Sequence, residues 1–202
     1  MIPLIGALLG SYLIGSFPTG FLLVKWLKRV DLRAVGSGNI GATNVGRVAG
    51  VWASVFVFVV DAAKGMLAVL VIAPQVLPSP HPAAVLACGV AAVLGHNFPL
   101  FLNFKGGKGV ATTIGVLLSA MPVAGLVSLL VWAICLMIWR YVSVGSLAAA
   151  VAIPLVQLAL RRSPAETLLG VALALLIVLR HRANIARLRH GTEPRVGHRH
   201  RT

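Results

Sequence analysis

Three stretches of the sequence gather residues suited to holding an anion. Residues 36–47 read GSGNIGATNVGR, where four glycines alternate with Ser37, Asn39, Thr43 and Asn44 before Arg47. Successive backbone N–H groups in such a run can form a nest, and Arg47 can fork onto a phosphate. The plain alternative is a flexible connector, although a linker would be expected to carry Ser, Pro and acidic residues.

Residues 96–113 read HNFPLFLNFKGGKGVATT, with Lys105-Gly106-Gly107-Lys108-Gly109 placed directly before a short apolar stretch. Glycines let backbone amides approach an anion, and a helix N-terminus adds a favourable partial charge. The run is not a Walker A loop, because Gly109 stands where Ser or Thr would reach magnesium and the GxxxxGK spacing is absent. A basic anchor at the lipid headgroups explains the lysines but not the glycines among them. His96 and Asn97, at the head of this run, are candidate substrate contacts.

The third stretch closes the last apolar segment: Arg180-His181-Arg182-Ala183-Asn184, then Arg187, Arg189 and Glu193. His181 and Asn184 are three apart and face the same way on a continuing helix. A histidine among arginines resists protonation and serves as a neutral hydrogen-bonding group. The competing reading is a basic stop followed by an amphipathic tail. Glu193 is expected to be a structural partner for an arginine.

Elsewhere, Asp61 and Lys64 lie three apart within an apolar segment, either as a mutual ion pair or with Lys64 lining a polar pocket. Ser143 and Ser146 begin another helix, as caps or as substrate ligands. Four dispersed acidic residues provide no carboxylate dyad, two-metal site or Ser-His-Asp triad. No metal and no cofactor are expected, which leaves metal-free handling of a phosphorylated substrate.

The elements that must position these residues are set by composition. In 202 residues, 58% are hydrophobic and 11% charged, with 18 Lys and Arg against 4 Asp and Glu for a net charge of +14. Mean hydropathy is +0.94. Soluble domains carry about 25% charged residues, so this is an all-α integral membrane protein without room for a separate soluble core. Apolar segments fall at about 1–24, 49–73, 83–101, 111–139, 141–160 and 164–179. The fourth would form a helix of about 43 Å against a hydrocarbon core of about 30 Å. Met121-Pro122 divides it into a short helix near 111–120 and a longer one after it, making seven transmembrane helices.

Basic residues support that division. With the N-terminus outside and the C-terminus cytoplasmic, 15 of the 18 Lys and Arg fall on the inner side, while Arg161 and Arg162 fall outside and Lys64 within a span. The first apolar run lacks a basic leader and is longer than a signal-peptide core, so it reads as a retained span. Residues 74–82 form a charge-free, proline-rich outer connector. Cys88 and Cys135 sit in apolar runs and are expected only to pack. Residues 1–194 are expected to form one polytopic domain and 195–202 a basic, disordered tail facing lipid. Basic charge confined to short loops points to anionic lipid or a small anion, and no nucleic-acid partner is expected.

Taken together, GSGNIGATNVGR, GHNFPLFLNFKGGKGVAT and HRANIARLRHGTE in this order resemble the bacterial acyl-phosphate:glycerol-3-phosphate acyltransferase family, the PlsY type, from residue 16 to about residue 193. The resemblance implies seven helices in the bacterial inner membrane and synthesis of 1-acyl-glycerol 3-phosphate in phospholipid biosynthesis. It implies that Ser37 and Arg47 are catalytic or substrate-binding, that Gly106, Gly107, Lys108 and Gly109 bind phosphate with Lys108 essential, and that Ser146, His181 and Asn184 line the site. Glu193 is implied to be structural.

The catalytic set expected is therefore Ser37, Arg47, Lys108, His181 and Asn184. Gly36, Asn39, Thr43, Asn44, Lys64, His96, Asn97, Lys105, Gly106, Gly107, Gly109, Ser143 and Ser146 are expected to contact substrate, with Asp61 and Glu193 structural. The expected substrates are acyl phosphate and glycerol 3-phosphate, bound on the cytoplasmic side. The HxxxxD pair of acyl-CoA-dependent relatives is absent, since no histidine here has Asp five positions on. The proton acceptor is left open between His181 and a substrate phosphate, and docking of a soluble donor-making enzyme is also left open. An anion transporter or a structural lipid-binding protein are the rivals from other classes.

Overall fold

A computed structural model describes residues 2–79 and 81–197. Those residues are helices and connecting loops, without a strand among them. They group into two compact units, Met1–Pro122 and Val123–Thr202.

In the first unit, α1 (Ile2–Ser16) and α2 (Thr19–Lys28) replace the single first helix expected from the sequence. Pro18 has no N–H to continue the ladder, and Phe17 before it is steered away from helical geometry. Next come α3 (Ala42–Ala49) and α4 (Val51–Leu67), which runs through a widened turn into α5 (Ala73–Val76), then α6 (Pro82–Asn97) and α7 (Val110–Ala120).

Helix α7 ends at Met121 and α8 (Pro122–Trp139) starts at Pro122, so the long apolar stretch is divided where the sequence placed the break. At eleven residues α7 rises about 16 Å, roughly half the hydrocarbon thickness. Six consecutive residues from Thr112 to Leu117 are buried, so it is surrounded by protein.

Two helix pairs carry this unit, and glycines hold both together. A Cβ on Gly15 would lie 2.0 Å from the Ala92 carbonyl oxygen, and one on Gly95 would lie 2.1 Å from that of Tyr12, so α1 and α6 touch backbone to backbone. The same reciprocity joins α4 and α7: a Cβ on Gly65 would sit 2.2 Å from the Thr112 oxygen, and one on Gly115 would sit 1.9 Å from that of Ala62. In apolar surroundings helices associate by close packing rather than by exclusion of water, and small residues permit the approach.

The second unit holds the rest of α8, then α9 (Val142–Ala159), α10 (Pro164–Arg180) and α11 (Arg182–Arg189). Gly170 of α10 lies against the Gln157 amide of α9, which donates to the Glu166 carbonyl at 3.1 Å. Helices α10 and α11 bend by 57° at His181. The tail expected to be disordered from residue 195 begins anchored: Arg195 lies over the Tyr141 ring at 5.1 Å, and Val196 N–H donates to the Arg140 carbonyl at 2.8 Å. Its last five positions, 198–202, fall outside the described residues.

Five helical stretches among the described residues are long and apolar enough to cross a membrane, and the bent α10–α11 pair makes a sixth. Seven were expected; α7, at eleven residues, is a shorter apolar helix outside that count.

Replacing Gly115 by Ala forces α4 and α7 apart and should lower stability by about 1–3 kcal/mol. Gly6→Ala, whose Cβ would meet only a Val76 methyl at 3.8 Å, should change it by no more than about 0.5 kcal/mol. Thermal unfolding in detergent checks the difference.

Candidate functional site

The first loop is a constructed turn rather than a free linker. Leu32, Ile40 and Val45 pack with Val24, Val57 and Leu102 in a buried cluster beneath it. Asp31 accepts from Arg33 N–H at 2.8 Å and starts a short turn over Leu32–Ala34. The Arg33 guanidinium holds the Asp31 carboxyl down at about 2.

Asn44 latches the turn from α3. It is buried, its Oδ1 accepts from Ser37 N–H at 2.8 Å, and its Nδ2 donates to the carbonyls of Leu32 and Val35 at 3.3 and 3.0 Å. Expected from the sequence to contact substrate, Asn44 instead binds its own loop. Gly36 adopts φ +59°, and a Cβ there would meet Asn44 Oδ1 at 2.2 Å, so this position requires glycine twice over.

The amide nest expected in this loop is mostly closed. Ser37 N–H is bonded to Asn44, Gly38 N–H to the Val35 carbonyl at 3.1 Å, and Gly41 N–H to Asn39 Oδ1 at 2.9 Å. What the loop turns outward is side chains. Ser37 is exposed at its tip, and Thr43 and Arg47 are exposed one helical turn apart on α3. Asn39 Nδ2 reaches the Gly106 carbonyl at 3.5 Å, tying this loop to the next.

In the second loop the glycines have a steric cause that the sequence did not reveal. A Cβ on Gly106 would lie 2.2 Å from the His96 carbonyl oxygen, one on Gly107 would lie 1.9 Å from His96 Nε2, and one on Gly109 would lie 2.7 Å from Asn97 Oδ1. All three press on the last turn of α6. Gly107 N–H donates to the His96 carbonyl at 3.0 Å, and Tyr12 Oη donates to the Phe98 carbonyl at 2.7 Å. Lys105 is exposed and Lys108 half-buried. Gly109, at φ +79°, starts α7 directly after Lys108, and no side chain caps the first amides of that helix.

Beneath both loops is a buried ionic cluster. Lys64 Nζ donates to Asp61 Oδ1 at 2.5 Å and to the Phe17 carbonyl, freed by the α1–α2 break, at 2.6 Å. His96 Nδ1 stands 3.7 Å from Asp61 Oδ1. Lys64 is thus paired with Asp61, and the pair borders a closed recess with Ser16, Thr19 and His96. Phe17 and Pro18 border that recess and also an apolar groove of about 350 Å³ lined by Phe21, Leu22, Phe101 and Leu102. Sequence reasoning missed this groove, whose halves are about 80 residues apart.

The second unit has its own polar centre at Glu193. Ser143 Oγ and Asn184 Nδ2 donate to its Oε1 at 2.7 and 2.6 Å, and Arg187 Nε donates to its Oε2 at 2.7 Å. Burial opposes the charge, but these three bonds outweigh it and hold the carboxyl below its ordinary value. Ser143 is thus neither a cap nor exposed. Ser146 Oγ donates to the Val142 carbonyl at 2.9 Å within α9, and Tyr141 is the N-cap residue. His181 is buried at the α10–α11 bend, with Nδ1 2.8 Å from the Ile177 carbonyl. A carbonyl only accepts, so Nδ1 carries the proton and Nε2 is the acceptor of the neutral ring.

A family model described as glycerol-3-phosphate acyltransferase matches residues 5–191. Among curated relatives, the glycerol-3-phosphate acyltransferase of Synechococcus elongatus is 43% identical over 196 residues, covering 94% of this chain and 92% of the relative. That of Geotalea daltonii is 45% identical over 186 residues, covering 92% and 94%. The fold is similar to the crystal structure of PlsY (YgiH), an integral membrane glycerol 3-phosphate acyltransferase, in its glycerol 3-phosphate form. That similarity has a TM-score of 0.88 at 39% identity over 96% of both chains. The lysophosphatidic acid form gives 0.85 at 36% identity over 96% and 95%.

Glu193→Gln should cost about 2 kcal/mol at neutral pH through loss of the charged acceptor. A carboxyl with a lowered native pKa stabilises fully above its unfolded value and loses that contribution as pH falls through the native one. The gap in melting temperature between native protein and variant should therefore be constant from pH 6 to 8 and close below about pH 4.

Proposed function

The chain belongs to the glycerol-3-phosphate acyltransferase family, and from that membership we propose that it transfers an acyl chain from acyl phosphate to the 1-hydroxyl of sn-glycerol 3-phosphate. The products are 1-acyl-glycerol 3-phosphate and inorganic phosphate. One observation carries this reading for the site. Arg47 and Lys108 stand on two loops tied together by Asn39 and Gly106, beside the uncapped start of α7, while Asp61, the carboxylate beneath them, is bonded to Lys64. Such a surface suits two phosphate heads.

The hydroxyl oxygen attacks the acyl carbonyl carbon, the carbonyl–phosphate C–O bond breaks, and phosphate departs with the electron pair. Lys108 and Arg47 hold the phosphates, and the α7 amides face the carbonyl oxygen as it gains charge. Ser37, pinned by Asn44, orients the acceptor. An acyl phosphate is already activated, so positioning and charge stabilisation carry most of the rate. The hydroxyl proton goes to a phosphate oxygen, whose second pKa of about 6 suits a base near neutral pH. This account does not need His181 as the base.

The acyl tail lies in the groove of Phe17, Phe21, Leu22, Phe101 and Leu102, which borders the polar recess and is open along the exposed side of Leu22 and Phe101. Counting α7 as the short member, seven helices in the bacterial inner membrane, N-terminus outside, place both loops and α11 on the cytoplasmic side. A soluble enzyme that makes the acyl phosphate would deliver it there.

With chelator present, purified protein should form lysophosphatidic acid from palmitoyl phosphate and radiolabelled glycerol 3-phosphate, and none from palmitoyl-CoA. Lys108→Ala should lower turnover by about 100- to 1,000-fold, while His181→Gln should retain it within about tenfold. Absence of product from either donor with folded protein overturns the acyltransferase reading, and accumulation of unmodified substrate in proteoliposomes would replace it with transport. Leu22→Trp, filling the groove, should lower kcat/KM for palmitoyl phosphate at least about tenfold more than for a short-chain donor.

A further inference from the structure

We propose that Asp61 and Lys64 are positioning residues that set the spacing of the two glycine loops, and with it the separation of Ser37 and Arg47 from Lys108. The proposal rests on the acyl-transfer reading above and names what holds its site in register.

Lys64 is 4% and Asp61 2% exposed. Charged groups so deep in an apolar protein are costly, and an apolar pair of similar size would hold two helices at least as well. The cluster does something an apolar pair cannot, because its polar contacts reach the two elements on which the loops rest, the α1–α2 break and the end of α6. On one side, Lys64 Nζ holds the Phe17 carbonyl at the α1–α2 break and thereby fixes where α2 departs. Helix α2 in turn carries the first loop: a Cβ on Gly20 would lie 2.1 Å from the Ile40 carbonyl oxygen, and Val24 packs on Ile40 and Val45.

On the other side, Asp61 Oδ1 faces His96 Nδ1 at 3.7 Å. The His96 carbonyl accepts from Gly107 N–H, and the opposite edge of its ring presses on the Gly107 backbone. A shift of either charged group therefore moves one loop relative to the other. The Asn39 to Gly106 bond, at 3.5 Å, links the two loops directly. Displacement of a substrate-positioning group by about 1 Å costs on the order of 100-fold in rate.

The test is Asp61→Leu combined with Lys64→Leu, in which no unpaired charge is left buried. The folded double variant should keep the native melting temperature, while kcat/KM falls by about 100-fold, chiefly through KM for glycerol 3-phosphate. Spin labels at Thr43→Cys and Lys105→Cys, in protein lacking Cys88 and Cys135, should give a narrow distance distribution with the pair present and a broad one without it. A double variant with native KM, native turnover and a narrow distribution overturns the proposal and leaves Asp61–Lys64 as helix packing only. So does one that melts early but keeps native kinetics per folded molecule.

If the double variant does not fold, Lys64→Arg decides. It keeps the pair but lengthens the donor, and should raise KM several-fold with the melting temperature unchanged, whereas native KM overturns the proposal. Native protein that makes no product overturns the acyl-transfer reading instead, and the spin-label distances still test the positioning claim.

Discussion

Eighteen Lys and Arg share four carboxylates, and that scarcity of negative charge governs how the molecule is held together. Each carboxylate is fixed to a point where the backbone turns or a helix breaks. Asp31 starts the turn beneath Ser37, Asp61 pairs with the lysine that holds the α1–α2 break, and Glu166 closes a capping box with Ser163 at the head of α10. Glu193 gathers α9, α11 and the C-terminal segment. A carboxylate is the strongest acceptor a chain can place in an apolar setting, and also the group most hostile to a phosphate ligand. With each carboxylate engaged by a cation or a backbone turn, Arg47, Lys105 and Lys108 are the basic groups of the two glycine-rich stretches.

Glycine plays a different part from the one its density suggests. Open backbone amides explain part of the second loop, where α7 begins uncapped, but the first loop bonds most of its amides to itself. What glycine supplies at Gly106, Gly107 and Gly109 is the absence of a Cβ where the loop lies on His96 and Asn97. At Gly15, Gly65, Gly95 and Gly115 it supplies the same absence between helices. That fit holds the second loop against the end of α6, where a linker would lie free of it. Preorganised donors are what give electrostatic stabilisation its strength.

Much of this was legible in the sequence. The apolar segments, the break at Met121-Pro122 and the Asp61–Lys64 pair follow from hydropathy, helix length and the cost of buried charge. The features that were not legible are those settled by contacts distant in sequence. Pro18 was visible, but an uninterrupted apolar run from Met1 to Val24 concealed that the helix stops there. The period of a helix placed His181 and Asn184 on one face, but no proline or glycine marks the bend between them. Asn44 has the chemistry of a ligand and the burial of a core residue, and only the fold distinguishes the two. The groove of Phe17, Leu22 and Phe101 exists only after α6 brings the second loop back beside α2.

The reaction proposed imposes a further division between these groups. Glycerol 3-phosphate and its acylated product carry the same phosphate, so contacts to that phosphate bind both and cannot by themselves raise the rate of the chemical step. Rate must come from groups that meet the carbonyl oxygen as it gains charge. Ser37 N–H is taken by Asn44, Gly38 N–H by Val35 and Gly107 N–H by His96, which removes the amides that a glycine-rich loop would ordinarily offer. The first turn of α7, which has no side-chain cap, is the donor set the proposed reaction would draw on, and its position depends on Gly109 lying against Asn97 at the end of α6. On the proposed reaction α7, at eleven residues a short apolar helix, would carry that donor set, and its burial against α4 and α6 holds it in place.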